Sequence, residues 1–363
     1  MSRILLLLPN LQAGGAEKAF LRIGKVAAER GHEVDLVILE HHIEYAVPEN
    51  IVLHALTPAG RRMSAGWFGK RIAAAKLRRW YRRATAERPF DLILASLPFA
   101  HEVARMAALP RVWHQIANTI SAEIDAMKSP RKAARRLARY RRLYDGHRVT
   151  TVSESVKVDL VDNLKIRPAE IVTIYNPFDF EEMRNASKAE PDDLPREPYL
   201  LHVGRFARQK RHDLLLEAFR LSGVPHRLVI LTRDQDVAGI KALVADRGLE
   251  GRVSVFGFHE NLFPWYAHAS ALVLSSDFEG MPNVMIEALG VGTPVVSTDC
   301  PSGPREVLTG ALQHWLVPRG DARALAERLR EVVESPPRVE PGVLERFSPE
   351  KSLTMIESLA GRP

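Results

Sequence analysis

Short apolar runs alternate along this chain with longer stretches of helical period. Residues 4–9, Ile-Leu-Leu-Leu-Leu-Pro, form the first run and read as a buried strand stopped by Pro9. A glycine-containing turn over 10–15 follows. Across 16–30 the apolar positions Ala16, Phe20, Leu21, Ile23, Val26 and Ala27 recur at helical spacing, Gly31 caps the segment, and 33–39 reads as the next strand. A strand, a helix and a second strand in that order open a doubly wound parallel sheet. The pattern restarts in the second half, with a strand at 199–203, a basic loop at 204–211, a helix at 212–221 and a strand at 226–231. Residues 178–198 are rich in Asp, Glu and Pro, have little periodicity, and read as the connection between the two halves. The pattern predicts an α/β protein of two Rossmann-like domains, 1–178 and 199–345. A linker over 179–198 joins them, and a last helix lies within 346–363.

Two helical stretches in the first half are strongly basic. In 70–88, Leu77, Trp80, Tyr81 and Ala84 form an apolar face while Lys70, Arg71, Lys76, Arg78, Arg79, Arg82 and Arg83 carry charge. In 131–148, Leu137, Tyr140 and Tyr144 are the apolar side. Each is either a solvated face over a packed one or a surface for anionic lipid headgroups, with Trp67, Phe68 and Trp80 as interface anchors.

Composition narrows the classes. At 363 residues the chain suits two domains. The net charge of +7 favours anionic partners, namely phosphates, nucleic acid or a membrane surface. No helix-turn-helix, RNP-like or zinc motif appears, so nucleic acid is not expected as a partner. The single Cys300 excludes an internal disulfide framework and fits a reducing compartment. Cys300 has no partner at metal spacing and the 13 His show no H-E-x-x-H, so no metal site is expected. No segment approaches the ~20 apolar residues of a membrane span, and 4–8 is too short for a signal peptide core. The expectation is a cytoplasmic protein, soluble or peripheral on the inner face of the membrane.

Residues 275–289, Ser-Ser-Asp-Phe-Glu-Gly-Met-Pro-Asn-Val-Met-Ile-Glu-Ala-Leu, lie between two strand-like runs and read as a loop followed by a helix. Glu279 falls on the loop and Glu287 more than a turn into the helix. Both could converge on a ligand at the strand ends and helix N-terminus. A carboxylate inside an otherwise apolar helix needs a partner, and a ligand hydroxyl would serve. Arg205 and Lys210 sit on a strand-to-helix loop of the same half, where a doubly wound fold binds ligands. Two cations and helix N-termini suit a diphosphate. Gly14-Gly15, also at a helix start, is either a phosphate cradle or a tight turn, and it is not G-x-G-x-x-G.

These residues resemble a known family. Gly14-Gly15-Ala16-Glu17, Gly204-Arg205-Phe206 through Lys210, Glu279-Gly280-Met281-Pro282-Asn283 through Glu287-Ala288, and Ser302-Gly303-Pro304-Arg305-Glu306 are similar to the retaining glycosyltransferases of family 4, which have the GT-B fold. The resemblance spans nearly the whole chain. It implies two Rossmann-like domains facing a cleft, a nucleotide-sugar donor in the second, an acceptor in the first, and no metal or other cofactor.

By this resemblance Arg205 and Lys210 neutralise the leaving diphosphate and Glu287 holds the ribose hydroxyls. Glu279, with the amides of Gly280, Met281, Pro282, Asn283 and Val284, holds the donor sugar and phosphates. Gly15 approaches the diphosphate from the other domain, His114 stands for a strand-end His that contacts the donor sugar, and Gly257-Phe258 receives the base. One departure is the stretch Thr232-Arg233-Asp234-Gln235, where the family often has a Gly-x-Gly-Pro-like turn. The 302–306 stretch is similar to members that use UDP-sugars, with N-acetylhexosamines prominent, and the basic helices point to a lipid-linked or cell-envelope glycan as acceptor. Alternatives are a GDP-sugar donor, an epimerase or hydrolase of the same fold, or an anionic-polymer-binding protein.

Overall fold

The computed structural model describes residues 1–12, 14–60 and 66–361. The chain divides into two compact units, residues 1–177 with 349–363, and residues 178–348.

The first unit begins with β1 (Arg3–Leu8), α1 (Gly15–Glu29), β2 (Glu33–Ile38), β3 (Val52–Ala55) and α2 (Trp67–Ala84). It continues with β4 (Leu92–Ser96), α3 (Pro98–Met106), β5 (Val112–Ile116), α4 (Ile120–Asp125), α5 (Pro130–Tyr144), β6 (Arg148–Thr151), α6 (Glu154–Val158) and β7 (Glu170–Thr173). Its strands form a parallel sheet in the order β3-β2-β1-β4-β5-β6-β7. The continuous Leu run of β1 is explained by burial on both faces. Ile4, Leu6 and Leu8 pack with Phe20 and Ile23 of α1, while Leu5 and Leu7 pack with Ala73 and Leu77 of α2 and Val103 of α3.

The second unit holds α7 (Phe180–Ala186), β8 (Tyr199–Val203), α8 (His212–Ser222), β9 (Arg227–Leu231), α9 (Asp234–Ala245), β10 (Val253–Phe256) and α10 (Phe263–His268). Then come β11 (Ala271–Leu274), α11 (Asn283–Gly290), β12 (Val295–Thr298), α12 (Pro304–Val307), β13 (Leu316–Val317) and α13 (Ala322–Glu334). Its parallel sheet has the order β10-β9-β8-β11-β12-β13. Both units are thus doubly wound.

Two regions differ from the sequence expectation. The presumed linker 179–198 starts with α7, whose N-cap Asp179 accepts from the Glu181 and Glu182 amides at 3.0 and 2.9 Å. Phe180 and Met183 lie where a Cβ on Gly290 would stand, at 2.7 and 2.8 Å, so the helix is seated on α11. The acidic composition of this stretch reflects capping and a solvated face, not lack of structure. The basic segment 131–148 is also two elements, because α5 stops at Tyr144 and Arg148 begins β6.

The last helix, α14 (Pro349–Ala360), belongs to the first unit. Leu353, Ile356 and Leu359 enter the core beside Ile4, Leu6 and Phe20, and Ser352 Oγ donates to Tyr175 O at 2.7 Å.

Candidate active site

In the second sheet β8 and β11 are neighbours, but the chain leaves β8 toward β9 on one side and leaves β11 toward β12 on the other. The two loops after these strands therefore diverge at a topological switch point, the ligand crevice of doubly wound sheets. One loop is 204–211 and the other 275–282, so both stretches singled out in the sequence meet here.

They are joined by a dense polar network. Lys210 Nζ lies 2.7 Å from Glu279 Oε1, with side-chain exposures of 14% and 9%. Ser276 Oγ donates to the same carboxylate oxygen at 2.6 Å, and Gln209 Nε2 donates to Phe278 O at 2.6 Å. Asp277 N donates to Gln209 O, and Ser275 Oγ donates to Lys210 O. Arg211 bridges Asp277 and Asp213, and its side-chain bonds to both carboxylates raise its pKa further. Arg211 adopts φ +50°, which turns the chain from the short 3-10 segment Arg208–Lys210 into α8. A non-glycine residue held there is a local strain the bridging ion pairs oppose.

Below Lys210, His202 and His212 stack edge to face at 4.9 Å. Burial, with Lys210 as a like charge, lowers both pKa values, that of His212 to about 4. Both rings are therefore neutral near pH 7, and Lys210 has no competing cation beneath it.

The loop after β11 enters α11 through Pro282, which is the N-cap and not the first helical residue. Of the five amides at 280–284 expected to face a ligand, two are excluded in this conformation. Pro282 has no N–H, and the Asn283 N–H turns back to Met281 O at 2.9 Å. Gly280 and Met281 are buried, while Asn283 and Val284 are half-buried.

Gly303 explains part of the 302–306 stretch. It has φ +93°, and a Cβ there would meet Pro282 Cδ at 2.3 Å and Gly280 O at 3.1 Å. It is a glycine because the 280–282 turn presses on it. Glu287 is 3% exposed and accepts from Tyr266 Oη at 2.9 Å. Tyr266, on α10, is the partner that the apolar helix sequence required and that the sequence reading did not identify. Its signal was available only as a buried aromatic with a polar tip.

Arg205 is exposed, and Asp236 is the acid that its charge lowers. Asp234-Gln235-Asp236 stands after β9 in an Asp-x-Asp spacing, which corrects the expectation that no such pair follows an apolar strand. Asp234 Oδ1 accepts from Phe258 N at 2.9 Å and would lie 2.0 Å from a Cβ on Gly257. Asp236 accepts from Phe206 N and from Arg233. Burial raises the Asp236 carboxyl, but these bonds outweigh it and leave the pKa below its ordinary value. The departure from the family pattern is thus a pair of carboxylates that fastens the 205–206 and 257–258 turns. Among the described residues, no group of three or more His, Cys, Asp or Glu is arranged to hold a metal. Phe206 and Phe258 remain 43% and 40% exposed beside these turns.

His114 lies inside a strand and not at its end. It is the third of five residues in β5 and 1% exposed, walled by His101 at 4.9 Å, His147 at 6.1 Å and Tyr144 at 6.2 Å. Burial and the neighbouring imidazoles hold its pKa well below the ordinary value. In this position it presents no surface to a ligand. The strand that contains it continues two residues beyond it, through Gln115 and Ile116. Gly15 is the first residue of α1, and Glu17 folds back so that its Oε2 lies 2.3 Å from where a Cβ on Gly14 would stand. The anion beside this helix N-terminus is the chain's own carboxylate, a favourable placement.

Two parallel doubly wound units, with polar loops gathered at the switch point of the second, have GT-B architecture. Residues 197–335 match the model "Glycosyl transferases group 1" and residues 13–182 the model "Glycosyltransferase Family 4". The chain belongs to that family. An N-acetylgalactosamine-N,N'-diacetylbacillosaminyl-diphospho-undecaprenol 4-alpha-N-acetylgalactosaminyltransferase of Campylobacter jejuni is 32% identical over 176 residues, 48% of each chain. A lipopolysaccharide 1,6-galactosyltransferase of Salmonella typhimurium is 28% identical, over 50% of this chain and 52% of its own. The chain thus matches only about half the length of these curated relatives. HepE of Anabaena, solved with UDP and glucose, is similar in fold with a TM-score of 0.77, full coverage of both chains and 19% identity.

Proposed function

We propose that this protein transfers a sugar, an N-acetylhexosamine or a hexose, from a UDP-sugar to a lipid-linked or cell-envelope glycan, with retention of anomeric configuration and without a metal. The observation that carries it is the Lys210–Glu279 pair, a cation and a carboxylate held together at the switch point of the second sheet. Lys210 has three N–H bonds, and Glu279 engages one. The others, with Arg205, are suited to a leaving diphosphate. Glu279 is oriented by Ser276, Lys210 and Gln209 for a donor hydroxyl. Glu287, oriented by Tyr266, suits the ribose diol.

In the reaction the bond from the anomeric carbon to the diphosphate oxygen breaks with oxocarbenium character. The acceptor hydroxyl bonds to that carbon from the same face, and its proton passes to a phosphate oxygen of the departing UDP. No side chain forms a covalent intermediate. The cations stabilise the charge that develops on the leaving group. The lipid-linked acceptor is supported by the Campylobacter relative, whose name specifies a diphospho-undecaprenol acceptor, and by the lipopolysaccharide enzyme of Salmonella.

A thermal-shift panel of UDP-, GDP- and ADP-sugars tests the donor. Stabilisation by UDP-sugars above the others is expected. Equal or greater stabilisation by GDP-sugars overturns the UDP assignment, and sugar release at full rate without acceptor favours a hydrolase or epimerase.

A further inference from the structure

The basic helices α2 and α5 are more than forty residues apart in sequence, yet both pair with α3 (Glu102). Lys70 Nζ on α2 lies 2.8 Å from Glu102 Oε2, and Arg139 on α5 donates to both carboxylate oxygens at 2.8 Å. Burial pushes the Glu102 carboxyl up, but the bonds from Arg139 and Lys70 outweigh it and lower its pKa. Glu102 is therefore ionised at neutral pH and holds the two helices on one face of the sheet. They present one surface.

Several of the cations are used inward. Lys70 and Arg139 serve Glu102, and Arg136 pairs with Glu123 at 2.6 Å. Arg78 donates to Ala107 O and Met106 O, closing the C-terminus of α3, and Lys76 donates to Leu56 O. Those turned to solvent are Arg71, Arg79, Arg82 and Arg83 on α2, and Arg131, Lys132, Arg135 and Arg142 on α5. Neither helix contains an Asp or Glu, so neither has the alternating charges that make an ordinary solvated helix.

The apolar residues on this surface are also selective. Trp80, expected as an anchor, is half-buried and stacks on Phe90 at 6.1 Å. Trp67, Phe68 and Ile72 are 58%, 77% and 58% exposed at the N-terminal end of α2. Arg71 lies over the Trp67 ring at 4.5 Å. Positions 68, 72, 75, 79, 82 and 83 follow helical spacing, so the apolar end and the cations share one stripe.

We propose that this face docks the first unit onto an anionic lipid bilayer. Trp67, Phe68 and Ile72 enter the boundary between headgroups and acyl chains, and the exposed cations of α2 and α5 meet lipid phosphates. The charge of the face complements an anionic surface, and its aliphatic and aromatic tip gains from hydrocarbon what a nucleic-acid backbone does not offer. Among the described residues no helix is long and apolar enough to cross a membrane, so contact is confined to the surface. The inference rests on the geometry of α2, α3 and α5 and not on the donor chemistry.

The test is co-sedimentation of the full chain with phosphatidylglycerol/phosphatidylcholine vesicles and with phosphatidylcholine alone, at low and high salt. Binding to the anionic vesicles at low salt only is expected. The variant R79Q/R82Q/R83Q should bind on the order of 10²-fold more weakly, at roughly five-fold per basic residue. The variant W67S/F68S/I72S should also lose binding while melting like wild type. Three results overturn the proposal: equal sedimentation with both vesicles, no sedimentation with either, or an unchanged W67S/F68S/I72S variant. RNA binding at the same salt that is tighter than vesicle binding and survives that variant also overturns it, in favour of nucleic acid. A thermal shift with UDP-sugar in each variant reports the second unit separately, so failure of the donor assignment is distinguishable.

Discussion

Lys210 Nζ and Glu279 Oε1 stand 2.7 Å apart, each more than four-fifths buried, on loops that leave adjacent parallel strands in opposite directions. The pair makes one unit of two residues 69 apart in sequence. Its two members depend on each other, since either alone would be an uncompensated charge out of water.

Removing one partner should therefore cost both stability and rate. Lys210→Ala is expected to destabilise by about 3–5 kcal/mol, the scale for breaking a buried pair, and to lower turnover roughly 10²–10³-fold. Arg205→Ala, on an exposed side chain, should lower turnover on a similar scale with little change in melting. Denaturant unfolding and steady-state kinetics on both variants separate the effects. Full turnover in the double variant would sink the leaving-group role.

Tyr266→Phe removes the hydroxyl that donates to Glu287 Oε2. Loss of a hydrogen bond to a carboxylate is worth roughly 1.5–3 kcal/mol. If Glu287 binds the ribose, donor KM should rise about ten-fold or more with kcat nearly unchanged. A fall in kcat alone would place Glu287 elsewhere in the cycle.

Asp234→Ala frees the Phe258 N–H from its carboxylate. The 257–258 turn should loosen and nucleotide affinity should fall several-fold, with discrimination among bases reduced. Isothermal titration with UDP and GDP measures both. Gly257→Ala is expected to fail more severely, because its methyl group would lie 2.0 Å from Asp234 Oδ1.

Acid should destabilise both units. Burial lowers the pKa of His101 in the first and His212 in the second to about 4, against an ordinary 6.5. Between those values the unfolded chain binds more protons than the folded one, so stability falls as pH falls from 6.5 to 4. Above 6.5 these groups contribute no slope. Melting temperature measured from pH 8 to 4.5 should be flat and then decline, and His212→Phe should flatten part of the decline. An unchanged decline in that variant would assign it to other groups.

Arg78→Ala should behave differently from Arg79→Ala. Arg78 caps the last carbonyls of α3, so its loss is expected to lower stability by about 1–2 kcal/mol. Arg79 faces solvent and its loss should leave melting within experimental error.

The sequence alone determined the two doubly wound sheets, since a strand buried on both faces must be apolar throughout and a crossover helix must be amphipathic. Those are local periodicities. It also singled out the two loops that the second sheet brings together, because Arg205, Lys210 and Glu279 are charges placed shortly after strand ends. Tertiary structure alone decided who meets whom. His114 has the right residue type but lies mid-strand, where the sheet and α5 bury it. The stretch 179–186, read as linker from its composition, packs as a helix because Gly290 leaves room for Phe180. Tyr266, Asp234 and Glu102 act through partners 21, 24 and 37 residues away, distances that no local period encodes. A pattern of one residue reports the face it lies on, while a pairing is set by the order in which strands enter the sheet, and that order exists only once the chain has folded.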